Sequence, residues 1–362
     1  MTWNSQLIVG AFADAAVDPS KWSEAMDVAA RETESVGAFV LPVIGKTPNI
    51  PFSESLRASI ETYFRDGWHQ RDARFQALPM LKKYGAVDDF DWTNYDQMRR
   101  DPYFQEFLRP LGLQFFGCVK MAAGDDLWAV SIQRSSLQDP FSASEKRRLA
   151  ELSPQISTAA AVARALGFSA ANAVSEAFEL SGTALALLNR RHEVVRLNRP
   201  AEALFVSDLR CRNRRILCGS REATNALDRA LHALLWNGRP SGLSPPVALP
   251  RQGKRPILAY PLKLASLSAN FLAECQCLLA LVDLETIAPP APAELRSALG
   301  LTNAEARLAS LLAAGATLAS ISEKLSISKE TARGQIKSIF DKTGTHRQGE
   351  LIAVLSHFLR GS

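Results

Sequence analysis

Three cationic side chains recur every fourth residue near the end of the chain, at Lys329, Arg333 and Lys337. If this segment is helical, the three lie along one side, with Gln335 and Ser338 close by. Cations attract nucleic-acid phosphates, and guanidinium and amide groups hydrogen-bond base edges in the major groove of duplex DNA. A row of cations on a helix is equally typical of a solvated surface. The surrounding secondary structure therefore decides whether it indicates DNA binding.

The sequence around this stripe predicts four short helices between residues 301 and 359. Thr302 and Glu305 have the spacing of a capping box, and Gly315 stands where a left-handed residue ends the first helix. Ser328 is then placed to cap the third helix, which carries the stripe on one side and an apolar face on the other. The apolar residues of that face are Ala332, Ile336, Ile339 and Phe340.

Residues 301–351 resemble the LuxR-type helix-turn-helix, whose third helix enters the major groove as one half of a dimer on a two-part site. The resemblance implies that Arg333 and Lys337 read bases, and that Lys329, Thr331 and Gln335 contact phosphates or groove edges. Ser338 and Arg347 complete the predicted DNA-binding set. The residues that carry the resemblance are Leu301, Thr302, Glu305, Leu312, Gly315, Ile321, Leu325, Ile327, Ser328, Thr331, Ile339, Lys342, Gly344 and Arg347.

Gly334 is where this sequence departs from the family pattern, because many relatives have a larger side chain there. Glycine inside a helix costs about 0.5–1 kcal/mol relative to alanine. Two interpretations stay open: the glycine lets the helix approach DNA closely, or one base contact of the family is missing.

The distribution of charge supports a basic module at this end of the chain. The 362 residues carry a net charge of +5, and the segment from Arg296 onward, with nine Lys/Arg and five Asp/Glu, supplies four of these charges. Electrostatic attraction to a phosphate backbone requires such a segment. A second basic segment, Arg190–Arg221, holds nine arginines and three acids. It fits a solvated face, an anionic ligand or an auxiliary DNA contact.

The chain upstream of the module is long enough for two further domains, so the sequence predicts a multidomain protein. Helical stretches alternate there with short paired strands, which is typical of α+β folds. We expect a first α+β sensor domain over residues 1–168, ending in a long helix, and a second over 172–287. A Pro/Ala linker is expected at 288–295, followed by an all-α helix-turn-helix domain at 296–362.

The long helix carries apolar residues at alternating steps of three and four, which is a short heptad seam. The seam fits either pairing with a second copy or packing on the helix's own domain. Pro154 is expected to kink or interrupt this helix. The seam residues are Leu149, Leu152, Ile156, Ala159, Ala163 and Leu166.

The second upstream block resembles the opening of a PAS domain. Two predicted strands, 184–188 and 194–197, flank a polar turn, and Asn198 and Ala201 begin the following helix. PAS domains bind a small molecule, haem or flavin, or only dimerise. His192 is predicted to lie on the surface of the turn, and no cofactor is predicted.

The end of the first block, around Trp128–Gln133, resembles a GAF-type sensor. Its middle resembles the acyl-homoserine-lactone-binding domain of quorum-sensing LuxR proteins through Tyr63, Trp68 and Asp72, followed by Trp92 and Tyr95. The resemblance implies that Asp72 accepts a hydrogen bond from a ligand amide and that Trp68, Trp92 and Tyr95 wall the pocket. Against it, Ala73 stands where relatives tend to have proline. The alternative is an Asp72 paired with Arg71 or Arg74, beside core tryptophans.

Several classes of protein are not expected. Five scattered cysteines favour reduced thiols in a cytoplasm, and no metal site is predicted. No apolar run is long enough to predict a membrane span, and no group of residues with catalytic types and spacing predicts an enzyme.

The sequence therefore predicts a cytoplasmic, homodimeric transcription regulator that binds double-stranded DNA, controlled by an unknown small-molecule effector or a partner. The alternative is a protein-interaction regulator for which DNA contact is secondary.

Overall fold

The computed structural model describes residues 3–45, 49–207, 209–236, 245–263, 269–285 and 290–358. The helices ahead of the C-terminal region are α1 (Ser5–Val17), α2 (Trp22–Glu32), α3 (Arg57–Arg65), α4 (Leu78–Tyr84), α5 (Tyr95–Met98), α6 (Ala143–Leu180), α7 (Arg199–Ser207) and α8 (Arg221–Trp236). The strands are β1 (Gly37–Pro42), β2 (Ala86–Asp88), β3 (Leu113–Ala123), β4 (Asp126–Ser135), β5 (Ala184–Leu188), β6 (Val194–Leu197), β7 (Arg210–Arg212), β8 (Arg215–Leu217), β9 (Val247–Arg251), β10 (Lys254–Leu262) and β11 (Cys277–Asp283).

The first unit is built on a four-stranded antiparallel sheet in the order β1-β4-β3-β2. Successive side chains of a strand point to opposite faces, and here both faces are covered. Val130 and Ile132 share a buried cluster with α1, α2 and α6, whereas Ala129 belongs to a second cluster with Leu81 of α4. The two central strands are therefore almost continuously buried, and the sheet is enclosed rather than half-solvated.

Helix α6 runs unbroken for 38 residues, from the capping box of Ser142 and Glu145 to Leu180. Pro154 was expected to kink or interrupt this helix. The expected interruption is wrong: α6 continues through Pro154, whose ring is exposed on the solvent side of the helix. Self-pairing through the heptad seam is not available either, because five of its residues are buried in the chain's own core. These are Leu149, Leu152, Ile156, Ala159 and Ala163.

The second unit has a five-stranded antiparallel sheet in the order β6-β5-β11-β10-β9, and a separate two-stranded hairpin, β7–β8. The predicted strands 184–188 and 194–197 are confirmed. Helix α8 packs its leucines on this sheet.

Helix α6 and one aromatic residue connect the two units. The Phe271 ring lies between the rings of Trp22 and Trp128, with centroid distances of 5.1 and 4.9 Å and edge-to-face geometry. Farther along α6, a Cβ on Gly167 would lie 2.7 Å from the Cβ of Ala273. The second unit therefore contacts the first over α6, and a side chain at Gly167 would collide with Ala273.

The C-terminal region contains five helices, four of which correspond to the predicted module. Pro292, in the predicted linker, begins the additional helix, because proline is well suited to the first helical turn. Residues 288 and 289 of that linker and the predicted last helical residue, Leu359, lie outside the described residues. The helices are α9 (Pro292–Leu299), α10 (Asn303–Ala313), α11 (Leu318–Leu325), α12 (Lys329–Thr343) and α13 (Gln348–Ser356).

Among the described residues, no helix is both long enough and apolar enough to cross a membrane.

Candidate DNA-binding surface

Helix α12 is fixed at both ends by the residues that the sequence predicted. Ser328 caps its start and accepts a hydrogen bond from the Thr331 amide at 3.0 Å. The turn before it uses Ser326 in the left-handed region, with φ of 54°, and the helix ends at Gly344 with φ of 65°. Ala332 of α12 is fully buried in the core of the module. The caps therefore define where this helix begins and ends, and its buried side places it on that core.

Glu305 connects the start of α10 to the middle of α12. Its Oε1 accepts a hydrogen bond from the Ser338 hydroxyl at 2.7 Å, and its Oε2 accepts one from the Lys342 ammonium at 2.7 Å. The Thr302 amide donates to the same carboxylate at 2.7 Å and closes the capping box. Burial alone raises the pKa of this carboxyl, but the hydrogen bonds from Lys342, Thr302 and Ser338 lower it to about 2. We call this arrangement the Glu305 latch.

The three cations of the predicted stripe are exposed. Lys329, Arg333 and Lys337 point away from the module's core, and none has an ion-pair partner within the described part of the chain. Glu330 and Asp341 are exposed on the same helix, so the surface carries a surplus of one positive charge. Unpaired cations on one surface can bind phosphates without first breaking an ion pair of their own.

The other predicted contact residues have different surroundings. Thr331 is exposed with its hydroxyl 3.0 Å from that of Ser328, and Arg347 is exposed at the residue before α13. The Ser338 hydroxyl is occupied by the Glu305 latch, so it points inward. Gln335 is half-buried, and its Oε1 finds no hydrogen-bond partner among the described residues. The exposed candidates are therefore the three cations, Thr331 and Arg347.

Gly334 lies exposed in the middle of α12 with free space beside it. A Cβ built at this position would meet no atom within 4 Å. Packing inside the chain therefore does not require glycine here, unlike at Gly167. Both interpretations of Gly334 remain compatible with this geometry.

Asp72, the predicted ligand contact, is engaged by its own neighbours. The Tyr63 hydroxyl donates to Asp72 Oδ2 at 2.7 Å, and the backbone amide of Arg74 donates to Oδ1 at 2.9 Å. Burial raises the pKa of the Asp72 carboxyl, against the lowering effects of Arg74 and Tyr63. The predicted pairing with the Arg71 or Arg74 side chain is replaced by pairing with Tyr63.

The Arg74 side chain instead forms a buried polar network that sequence reasoning missed. Its guanidinium is 6% exposed and bonds Asp89 Oδ1 at 3.1 Å, Gln133 Oε1 at 2.7 Å and the Gln114 carbonyl at 3.0 Å. Burial raises the pKa of Asp89 to about 6, despite the nearby guanidinium. All of these partners are far from Arg74 in sequence, so no local pattern could have identified them.

The predicted pocket rings differ in their surroundings. Trp68 is buried and stacks on Phe107 at 5.5 Å, whereas Tyr95 is 48% exposed. Trp92 is half-buried, and its Nε1 has no partner among the described residues. A cavity of 20 Å³ lies between the sheet and the helices, next to Arg74, and has room for about one water molecule. In this conformation, a larger effector would have to displace side chains to enter it.

The PAS-like motif residues have structural roles in the second unit. The Asn198 side chain accepts hydrogen bonds from the amides of Leu185 and Ala201 at 2.8 and 3.1 Å, so it attaches the start of α7 to β5.

The prediction that His192 is a surface histidine is wrong. Its side chain is 11% exposed, because Asp228 lies 3.9 Å away and His232 packs against it. Among the described residues, no three His, Cys, Asp or Glu side chains cluster to hold a metal.

Comparisons with known proteins give two loose structural similarities. The first is to the phage VqmA–DPO complex, with 18% identity over 54% of this chain and 93% of that chain, and a TM-score of 0.24. The second is to the E. coli DhaR(N)–DhaL complex, with 10% identity over 76% and 87% and a TM-score of 0.23. TM-scores this low do not establish a shared fold. No protein-family model and no curated protein match the chain.

Proposed function

We propose that the chain is a DNA-binding transcription regulator rather than an enzyme. The observation that carries the proposal is the surface of α12, a helix capped at both ends, on which three exposed cations have no ion-pair partner among the residues that the structure describes. A helix with these properties can lie in the major groove, with its cations on phosphates and base edges. In this proposal Arg333 and Lys337 read bases, and Lys329, Thr331 and Arg347 position the helix on the backbone.

The Glu305 latch supports the same proposal, because it fixes the helix without using these cations. Its partners, Ser338 and Lys342, come from the side of α12 that faces α10. Base recognition requires a helix whose orientation is defined before it meets DNA, since ordering it on binding would weaken the affinity. Glu305 is therefore a positioning residue in this proposal.

The two upstream units are proposed to control this binding as a GAF-like and a PAS-like sensor of a homodimer. Two features support the assignments: the antiparallel sheets, and the Asn198 side chain that joins β5 to α7 as the PAS-like motif implies. Because the heptad seam is buried, a dimer has to form through other surfaces. An effector of the first unit has more room in the cavity of 240 Å³ lined by Leu41, Tyr63 and Phe75 than in the neighbouring cavity of 20 Å³.

The proposal is tested with full-length chain on DNA enriched from a random duplex library. The test variant is Arg333→Ala/Lys337→Ala, and the matched control is Arg99→Ala/Arg100→Ala, which removes two exposed charges from the first unit. Loss of each base-reading contact costs about 1–3 kcal/mol of discrimination, so the test variant should retain only salt-sensitive, sequence-blind binding. Unchanged preference in the test variant would exclude this readout and favour the protein-interaction alternative.

A further inference from the structure

The surplus of positive over negative charge in this protein comes from two segments. Arg190–Arg221 has a surplus of six positive charges and the C-terminal segment a surplus of four, whereas all other residues together carry 24 Lys/Arg and 29 Asp/Glu. Arg190–Arg221 is therefore the more basic of the two segments, and the rest of the chain has a net negative charge. The structure shows which of its arginines are already neutralised by the chain itself.

Five of the nine arginines have partners inside the protein. Arg190 pairs with Asp126 at 3.3 Å, and Arg191 with Glu193 at 3.3 Å. The Arg196 side chain donates to Asn172 at 2.6 Å. Arg214 lies 3.6 Å from Glu274, and Arg215 lies 3.4 Å from Asp228. The side chains with neither an ion pair nor a side-chain hydrogen bond among the described residues are those of Arg199, Arg210, Arg212 and Arg221.

Arg210 and Arg212 lie on the exposed hairpin β7–β8. They are two residues apart on one strand, so they point to the same side, and every residue of β7 is exposed. Asn213 and Arg214 form the tight turn, with φ of 52° and 61°. Positive φ at both central residues is the geometry of a two-residue hairpin turn, which gives a short, well-defined ribbon.

The register of the hairpin places like charges opposite each other. Arg212 of β7 pairs directly with Arg215 of β8. Directly opposed like charges destabilise an antiparallel pair, and Asp228, which lies 3.4 Å from Arg215, forms no ion pair with Arg212 in the described part of the chain. An anionic partner would relieve this repulsion and bind the unpaired guanidinium groups of the ribbon.

We propose that the β7–β8 hairpin is a second DNA-contacting element, with Arg210 and Arg212 bound to phosphates of duplex DNA beside the site read by α12. This inference rests on the proposed function, because the C-terminal module brings DNA to the same chain. Tethering turns a weak phosphate contact into an intramolecular one, so two arginines add usefully to the affinity. Their contacts carry no base information, and sequence preference stays with α12.

The test is the salt dependence of DNA binding by full-length chain. Each phosphate contact contributes about 0.9 to the slope of log K against log salt, so Arg210→Gln/Arg212→Gln should lower the slope by about 1.8. At 0.15 M salt, this corresponds to an affinity loss of about 30-fold, if the whole effect is counterion release. The matched control Arg99→Gln/Arg100→Gln removes the same charge from another exposed surface and should leave the slope unchanged.

The outcomes separate this inference from the proposed function. A reduced slope in the hairpin variant alone, with the wild-type sequence preference retained, supports the hairpin contact. Equal slopes in the hairpin variant, the control and the wild type overturn it, even if wild-type binding is sequence-specific. If the wild type itself shows no sequence preference, the proposed function has failed. A reduced slope in the hairpin variant would then report general binding to polyanions, which contradicts the inference.

Discussion

Replacing Glu305 by glutamine removes the charge that connects α10 to α12 while keeping the size of the side chain. The pKa is lowered from 4.5 to about 2, which corresponds to about 3 kcal/mol at 1.36 kcal/mol per unit. The Glu305 side chain is only 8% exposed, but Lys342 is 34% exposed and solvent screens its charge. We therefore expect Glu305→Gln to destabilise the module by about 1–3 kcal/mol.

Hydrogen exchange of full-length chain measures this loss at α12 itself. Amides of Lys329–Thr343 should exchange about 5- to 150-fold faster in Glu305→Gln than in the wild type. Glu323→Gln, which removes an exposed carboxylate of the same module, is the matched control and should leave exchange unchanged. Equal protection of α12 in both variants would refute the argument that the latch orients this helix.

The same reasoning gives the direction of the pH dependence. Because the folded pKa of Glu305 lies below its unfolded value, its stabilisation is complete above about pH 4.5 and is lost as the pH falls to about 2. The difference in α12 stability between wild type and Glu305→Gln should shrink over this range. A difference that stays constant down to pH 2 would mean that the carboxylate charge is not the cause.

Three further substitutions test other parts of the structure. Gly334→Ala should stabilise α12 by about 0.5–1 kcal/mol in hydrogen exchange, and a fall in DNA affinity with it would favour the close-approach interpretation over a missing contact. Arg74→Met should destabilise the first unit by about 3–5 kcal/mol in thermal unfolding followed by tryptophan fluorescence, because it leaves the buried Asp89 carboxylate without its cation. Adding Asp89→Asn removes this unpaired charge and should recover part of the lost stability. Phe271→Ala should cost about 3–5 kcal/mol, because it empties the space between Trp22 and Trp128, and a loss below 1 kcal/mol would contradict the packing.

The C-terminal module could be predicted from the sequence because its information is local. Capping residues act over three positions, as Thr302 and Glu305 do, and glycines such as Gly315 end helices at their own position. The predicted helices therefore agree with the structure to within a few residues. The other half of the Glu305 latch was not predictable, because Ser338 and Lys342 follow 33 and 37 residues later.

The sensor units were predictable only at the level of strands and helices. The pattern of paired strands around a polar turn indicated β5 and β6, but no local pattern shows that Arg74 and Asp89 are both buried. The identity of the face that α6 buries depends on the whole core, so the heptad seam alone could not distinguish self-pairing from packing on its own unit. Contacts between units, such as that of Phe271, leave no periodic pattern.

Selection of binding sites from a random duplex library by full-length wild-type chain tests the central claim most directly. The account predicts enrichment of one two-part, near-symmetric sequence, because each copy of α12 reads one half-site. It also predicts that Arg333→Ala/Lys337→Ala abolishes this enrichment while leaving salt-sensitive binding to any duplex. The account would be contradicted if selection by the wild-type chain enriched no sequence at a salt concentration where the chain still binds duplex DNA.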